Sequence, residues 1–260
     1  MTAAQFGTHL KDWRRARRLS QLDLALMADV SARHVSFLET GRARPSRDMV
    51  LRLARTLEVP LKERNDLLSA AGFAPAYRAR DLSDAELTPL RHAIEHLLAG
   101  HDPYPAYVLD RTWDLVDANV GARRLLGGLL PADAPADARP NMVRLLFEPG
   151  PLRDAMLNWD EVARLTLLRL RREVRDTGGD TALTTLADEL ARELPDVPEE
   201  STPPDTPVIA LRLNMGGAEL AVFTTMTAFS TAQDAAISDL RIEHLFPADA
   251  ATEAFFRATA

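Results

Sequence analysis

The sequence predicts an α+β chain: helices first, then a five-stranded antiparallel sheet with a long helical insertion. Three observations lead there. Leu19 to Ser46 carries apolar residues at helical spacing on both sides of a compact break. Ala106–Asp110, Trp113–Ala118, Val208–Asn214, Ala218–Met226 and Leu240–Phe246 are strand-like runs set off by turn formers. Between the second and third of these runs, residues 141–194 read as several helices.

In the N-terminal segment, Ser20 is placed to cap a helix opened by Gln21, with Leu22, Leu24, Ala25, Leu26 and Ala28 as its apolar residues. Asp29-Val30-Ser31 breaks the pattern. Ser31 caps again, and Val35 and Leu38 form an apolar face three residues apart. Ala32, Arg33, Ser36 and Phe37 therefore point elsewhere. Two short helices at this spacing suit a helix-turn-helix, whose second helix offers its outward edge to the bases of the major groove.

Gln21, Ala25, Val30-Ser31, Val35, Glu39, Gly41 and Pro45-Ser46 together resemble the Cro/C1-type (XRE-family) helix-turn-helix pattern over roughly residues 6–72. The resemblance implies an all-α domain of five helices at about 6–17, 21–28, 32–39, 46–57 and 61–71, with Ser46 capping the fourth and Pro60 near the start of the fifth. It also implies a backbone contact for Gln21 and base reading at Ala32, Arg33 and Phe37, with Ser31 and Ser36 close by. Asp29 stands where the family often has Gly, and Asp enters the left-handed region more readily than most residues. Ala32 and Phe37 have no hydrogen-bonding side chains, so readout leans on Arg33 and on contact with thymine methyl groups. A helical hairpin that never meets DNA is the alternative.

Charge points the same way. Residues 1–80 hold 15 Lys and Arg against 8 Asp and Glu, a net of +7, while the remainder holds 16 against 30, a net of −14. A basic head on an acidic body attracts phosphates at one end only. Arg14, Arg15, Arg17 and Arg18 form one cluster and Arg42, Arg44 and Arg47 another. Both suit backbone contacts that position without reading sequence, and both equally suit a solvated face.

At 260 residues the chain suits two domains. We expect 1–73 as the DNA-binding domain, 74–86 as a connector and 87–260 as a second domain. The absence of Cys excludes disulfides, thiolate metal sites and Cys nucleophiles. No run approaches a membrane span, and the first residues lack a signal pattern, so a cytoplasmic protein with no membrane partner is expected.

In the second domain, Gly72 and Pro75 close the head, and Leu87–Leu98 reads as a helix. Arg111-Thr112 is placed as the turn between the first two strands, and Asn119 as the cap of a helix reaching Leu126. A loop is expected over 127–138. Helices follow over 141–147, 152–159, 161–174 and 181–194, with a break at Glu148–Pro151 and a Pro-rich acidic loop over 195–206. Gly216-Gly217 turns the next two strands into a hairpin. Ser230–Ser238 reads as a turn or a short helix, the last strand follows, and Pro247 and Asp249 open a terminal helix.

A helical insertion between strands two and three of such a sheet is the order of a PAS-like sensor. Trp113, Asn119, Asn141, Leu145-Leu-Phe147, Trp159 and Phe246-Pro-Ala-Asp249 make residues 88–257 resemble the ligand-binding domain of MmyB-like transcription regulators. The resemblance implies a PAS-like fold and a small apolar ligand, with fatty acids as candidates. Apolar pocket candidates are Tyr107, Trp113, Phe147, Trp159, Val162, Phe223 and Phe246, and the polar anchors are Asn119, Asn141, Arg144 and Arg164. An Arg could pair with a carboxylate. Aromatics at these spacings also serve as ordinary core, Asn119 also reads as a cap, and the two Arg residues also suit surface ion pairs.

His92, Glu95 and His96 match the H-x-x-E-H zinc-peptidase signature, but a third ligand is needed and so short a match arises readily by chance; a solvated helix face is the competing reading. No nucleophile motif is present, so no enzyme and no cofactor are expected. The sequence therefore reads as a ligand-responsive bacterial regulator that binds double-stranded DNA as a homodimer and senses a small apolar molecule. The competing reading is a constitutive DNA-binding regulator whose second domain only dimerises or recruits a partner.

Overall fold

The computed structural model describes residues 3–78, 84–130, 135, 139–178, 180–194, 196–197, 209–229 and 234–259. The chain divides into two compact units, one built on residues 1–81 with 172–181 and 230–238, the other on the remainder.

The first unit holds α1 (Ala3–Ala16), α2 (Gln21–Met27), α3 (Ala32–Glu39), α4 (Arg47–Thr56) and α5 (Leu61–Ala70). Local chemistry sets the helix starts. The Ser20 hydroxyl accepts from the Asp23 amide and Asp23 returns a bond to the Ser20 amide, a reciprocal capping box. Ser31 caps α3 through the His34 amide, and Ser46 caps α4 through the Met49 amide. Asp29 takes the left-handed turn with φ 53°, as the sequence allows. Phe6, Leu10 and Trp13, spaced along one face of α1, join Leu24, Val35, Leu38, Leu53 and Leu68 in one core. α2 differs from expectation in one respect. Leu24, Ala25 and Ala28 are buried, but Leu22 and Leu26 are exposed, because only one stripe of so short a helix can face the core.

The second unit begins with a short 3₁₀ turn (Ala85–Leu87) and α6 (Thr88–His101). Strands β1 (Ala106–Leu109) and β2 (Leu115–Ala118) precede α7 (Val120–Gly127), α8 (Met142–Phe147), α9 (Pro151–Ala155), α10 (Trp159–Asp176) and α11 (Thr181–Glu193). The hairpin β3 (Leu211–Met215) and β4 (Ala218–Ala228) follows; α12 (Ala235–Ser238) then falls within the first unit, and β5 (Arg241–Pro247) and α13 (Ala250–Ala258) complete the second. The sheet order is β2-β1-β5-β4-β3, antiparallel throughout, with the helical insertion between β2 and β3. The fold is α+β, as expected.

Alternation sorts the sheet's side chains. Tyr107 faces Glu243 and Thr224 faces Leu245 in the register, while Ala106 faces His244 and Val108 faces Ile242. The second set packs against Ile94 and Leu98 of α6. The first set turns the other way, toward α7–α10.

Three boundaries depart from expectation. The helix read over 152–159 stops at Ala155, and Pro151 opens it instead of belonging to a break. Met156 then leaves the helix to bridge Leu213, and the Leu157 amide donates to the Arg212 carbonyl, so a β contact outcompetes another helical turn. β2 starts at Leu115, not Trp113. Asp110 Oδ1 accepts from the Thr112 and Asp114 amides, and Trp113 sits at φ 70°, which bends the chain before the ladder begins. Asp249 caps α13, while Pro247 belongs to β5. Most of the loops read over 127–138 and 195–206, the start of the strand at Val208 and residues 230–233 lie outside the described residues.

Candidate functional site

Two places concentrate the expected chemistry. In the first unit, α3 presents Arg33 on its exposed edge, one turn from half-buried Phe37. The Arg33 guanidinium carbon lies 5.1 Å from the centre of the Phe37 ring, a cation–π arrangement. Ser36 is half-buried beside them. Ala32 packs partly against the core, and the Ser31 hydroxyl is engaged as the α3 cap. Arg42 and Arg44 lie exposed on the loop after α3, where Gly41 takes φ 71°. Gln21 donates its side-chain amide to Glu39 Oε2 at 2.8 Å.

Glu39 is the hub of that corner. Arg14 Nε meets Glu39 Oε1 at 2.6 Å, Arg14 Nη2 meets Oε2 at 2.9 Å, and Arg14 Nη1 donates to the Leu19 carbonyl at 2.7 Å. The side chains are only 10% and 2% exposed. The hydrogen bond to Glu39 chiefly raises the Arg14 pKa. Burial pushes the Glu39 carboxyl up, but the bonds from Arg14 and Gln21 and the charges of Arg14 and Lys11 together hold it below its ordinary value. This corrects the basic-cluster reading. Arg14 ties α1 to α3 and is not offered to phosphates, and Arg17 donates to the Leu57 carbonyl. Arg15 and Arg18 are the exposed members.

In the second unit, a cavity of about 260 Å³ lies between the sheet face bearing Tyr107 and the helices of the insertion. Its walls are mostly aliphatic: Leu125, Leu126 and Leu129 from α7 and its exit, Met142, Val143 and Leu146 from α8, and Leu213 and Leu245 from the sheet. The polar groups are few: Tyr107, Thr166, Arg169, Thr224 and Glu243. Arg169 bonds Met226 Sδ, and its guanidinium carbon lies 4.5 Å from the centre of the Trp113 ring. Arg241 lies 3.8 Å from that same ring centre. Burial, then the Glu243 charge, pushes the Tyr107 phenol well above its usual pKa, so it stays a neutral hydrogen-bonding group. An apolar chamber with a handful of convergent polar groups has the make-up of a small-molecule site.

Residues 90–258 match the family model described as MmyB-like transcription regulator ligand binding domain. The chain belongs to that family. Residues 10–64 match a helix-turn-helix family model, so the MmyB-like domain follows a helix-turn-helix head, the pairing of a transcription regulator. Among curated proteins, the chain is 36% identical over 73 residues to the uncharacterized HTH-type transcriptional regulator RghRB of Bacillus subtilis (strain 168). That match covers 28% of this chain and 50% of the relative, so the chain spans about half the length of the curated relative it matches.

Within the MmyB-like domain, Tyr107, Trp113 and Val162 line the cavity as expected, and the other eight candidates do not. Asn119 caps α7 and also bonds the Ala106 amide and the Leu98 and Tyr104 carbonyls. Asn141 caps α8 and donates to the Thr112 carbonyl. Arg144 pairs with Glu189 at the surface, and Arg164 is exposed. Phe147 packs edge-on to Trp159, whose indole N–H donates to the Leu146 carbonyl. Phe223 stacks on Phe246 on the opposite sheet face. Arg169 is the cation among the cavity's lining residues and Glu243 the anion. A sequence signal for Arg169 existed: Val162, Leu165, Thr166 and Arg169 form one α10 stripe at helical spacing. Glu243 was marked by strand parity with Leu245.

On the other sheet face an open groove lies between His244, Thr225 and Phe246 of the sheet and His96 and His101 of α6. His101 Nε2 lies 2.9 Å from the Leu245 carbonyl, which can only accept, so that nitrogen carries the proton. Burial, then the His101 charge, lowers the His244 pKa. His92, Glu95 and His96 are all exposed on α6, and among the described residues no three metal-ligating side chains converge. Nor, among those residues, is any helix long and apolar enough to cross a membrane.

Proposed function

We propose that this chain is a ligand-responsive transcription regulator, not an enzyme, which binds operator DNA as a homodimer on paired half-sites. In this reading α3 reads bases, and the MmyB-like domain takes up a small apolar molecule, with a medium-chain fatty acid as the leading candidate. The observation that carries the reading is the aliphatic cavity with Arg169 in its wall. At about 30 Å³ per water-sized group, 260 Å³ holds roughly nine such groups, the bulk of a medium-length alkyl chain. Arg169 supplies a charge-assisted partner for a carboxylate head. Glu243 weakens that pull, so its charge tunes which head group is preferred. Dimerisation fits the head, because one helix-turn-helix unit makes too few base contacts for tight specific binding.

Mass spectrometry of molecules extracted from the purified full chain tests the reading. The expected result is a stoichiometric, lipid-sized species, and stabilisation of the emptied protein by octanoic, decanoic or dodecanoic acid. Clean protein from lipid-rich cells, unmoved by any of these acids, favours the alternative in which the second domain only dimerises or recruits a partner.

A further inference from the structure

We infer that Arg33 and Phe37 act together as one reading unit for a guanine with a thymine on the adjacent base pair, on either strand. This rests on the proposed binding of operator DNA by α3. The two side chains lie four residues apart on one helix edge, with the guanidinium carbon 5.1 Å from the ring centre. Arg33 carries a planar fork of donors that matches guanine O6 and N7. Phe37 has no donor or acceptor, so its contribution to base discrimination is apolar contact, and the thymine C5-methyl is the apolar group the major groove displays. Contact between the two side chains sets the span: a guanidinium resting on a ring on one helix edge reaches base pairs that are themselves in contact, so the unit is assigned to adjacent pairs, about 3.4 Å apart along the axis.

The ring also acts on the arginine. An exposed Arg otherwise samples many rotamers, and resting the guanidinium on the Phe37 ring holds the fork toward one step. Ala32 and Ser36 leave this edge uncluttered: Ala32 packs partly inward, and Ser36 is short. Reading of guanine by Arg33 and of methyl by Phe37 is therefore coupled, and loss of the ring weakens both.

The test uses the full chain and a random duplex library, followed by base-analogue scanning of the selected site. Selection is expected to enrich half-sites containing guanine beside thymine. Replacing that guanine with 7-deazaguanine, which lacks the N7 acceptor, should weaken wild-type binding about five- to hundredfold. Replacing the adjacent thymine with uracil, which lacks the methyl, should cost about fourfold. Arg33→Lys keeps the charge but loses the fork, so the ratio of its affinity for the selected site to that for random duplex should fall about five- to hundredfold, and the 7-deazaguanine effect should disappear. Phe37→Ala should lose the uracil effect and diminish the 7-deazaguanine effect. A selected motif without this step, or wild-type binding indifferent to uracil, overturns the inference while leaving DNA reading by α3 intact. No enrichment over random duplex overturns both.

Discussion

Replacing Glu39 with Gln separates a structural role for Arg14 from a DNA-binding one. The substitution keeps shape and removes the charge that Arg14 meets through two hydrogen bonds, at 2.6 and 2.9 Å. Arg14 is then left almost buried and without a counter-charge, with the neutral amide oxygen at position 39 and the Leu19 carbonyl, at 2.7 Å in the wild type, as its acceptors. Stranding one partner of a buried pair costs about 3–5 kcal/mol, and the surviving carbonyl bond sets the expectation near the lower end, about 3 kcal/mol. For a unit of this size that corresponds to about 12–24 °C in Tm. Hydrogen exchange of α1 and α3 amides in the full chain reads the loss as a fall in opening free energy. The same pair fixes the sign of the acid response. The Glu39 pKa is held below its ordinary 4.5, so its contribution is fully present above pH 4.5 and disappears as pH falls through the folded value. The wild-type head should therefore lose protection in that window, and Glu39→Gln should lose none there. Replacing both Arg14 and Glu39 with Met should restore much of the stability, because no charge remains stranded. A loss under about 1 kcal/mol, typical of an exposed pair, with an unchanged acid response, refutes the reasoning.

Three further perturbations probe the MmyB-like domain. Asn119→Ala strands the Ala106 and Ala122 amides and removes two donors to carbonyls, so denaturant melts should show a loss of about 2–4 kcal/mol. Gly121→Ala drives a methyl group into the Pro103 carbonyl, and the same melts should report about 3 kcal/mol or more; a neutral result would show that the α7 start can shift. Arg169→Met should weaken decanoic acid about tenfold or more by calorimetry while sparing decanol, and Glu243→Gln should tighten the acid. Equal effects on acid and alcohol would remove Arg169 from head-group recognition.

The parts legible in the sequence are those governed by neighbours along the chain. Ser20, Ser31 and Ser46 cap the helices they precede from extended backbone, while Asp29 in its turn and Gly216-Gly217 in the hairpin take the positive φ those positions require. The cavity was less legible because it depends on which neighbours arrive from afar. Arg144 and Arg169 are both arginines on amphipathic helices, yet one finds Glu189 in solvent and the other points into an aliphatic chamber. Trp159 and Phe147 share the aromatic character of Trp113 but fill each other's space instead of the cavity. Arg14 lies in a run of arginines with nothing local to mark it, and only the approach of α3 gives it a carboxylate. Likewise Met156 abandons a helical pattern for Leu213, a partner 57 residues away that no window of sequence contains.

The central claim is that occupancy of the cavity changes DNA binding. The direct measurement is the affinity of the full chain for its selected operator, with the cavity emptied and then saturated with the extracted ligand. A ligand that prefers one conformational state over another should shift that affinity by at least about fivefold in one direction. The same affinity in both conditions, with saturation verified by mass spectrometry, would contradict the account.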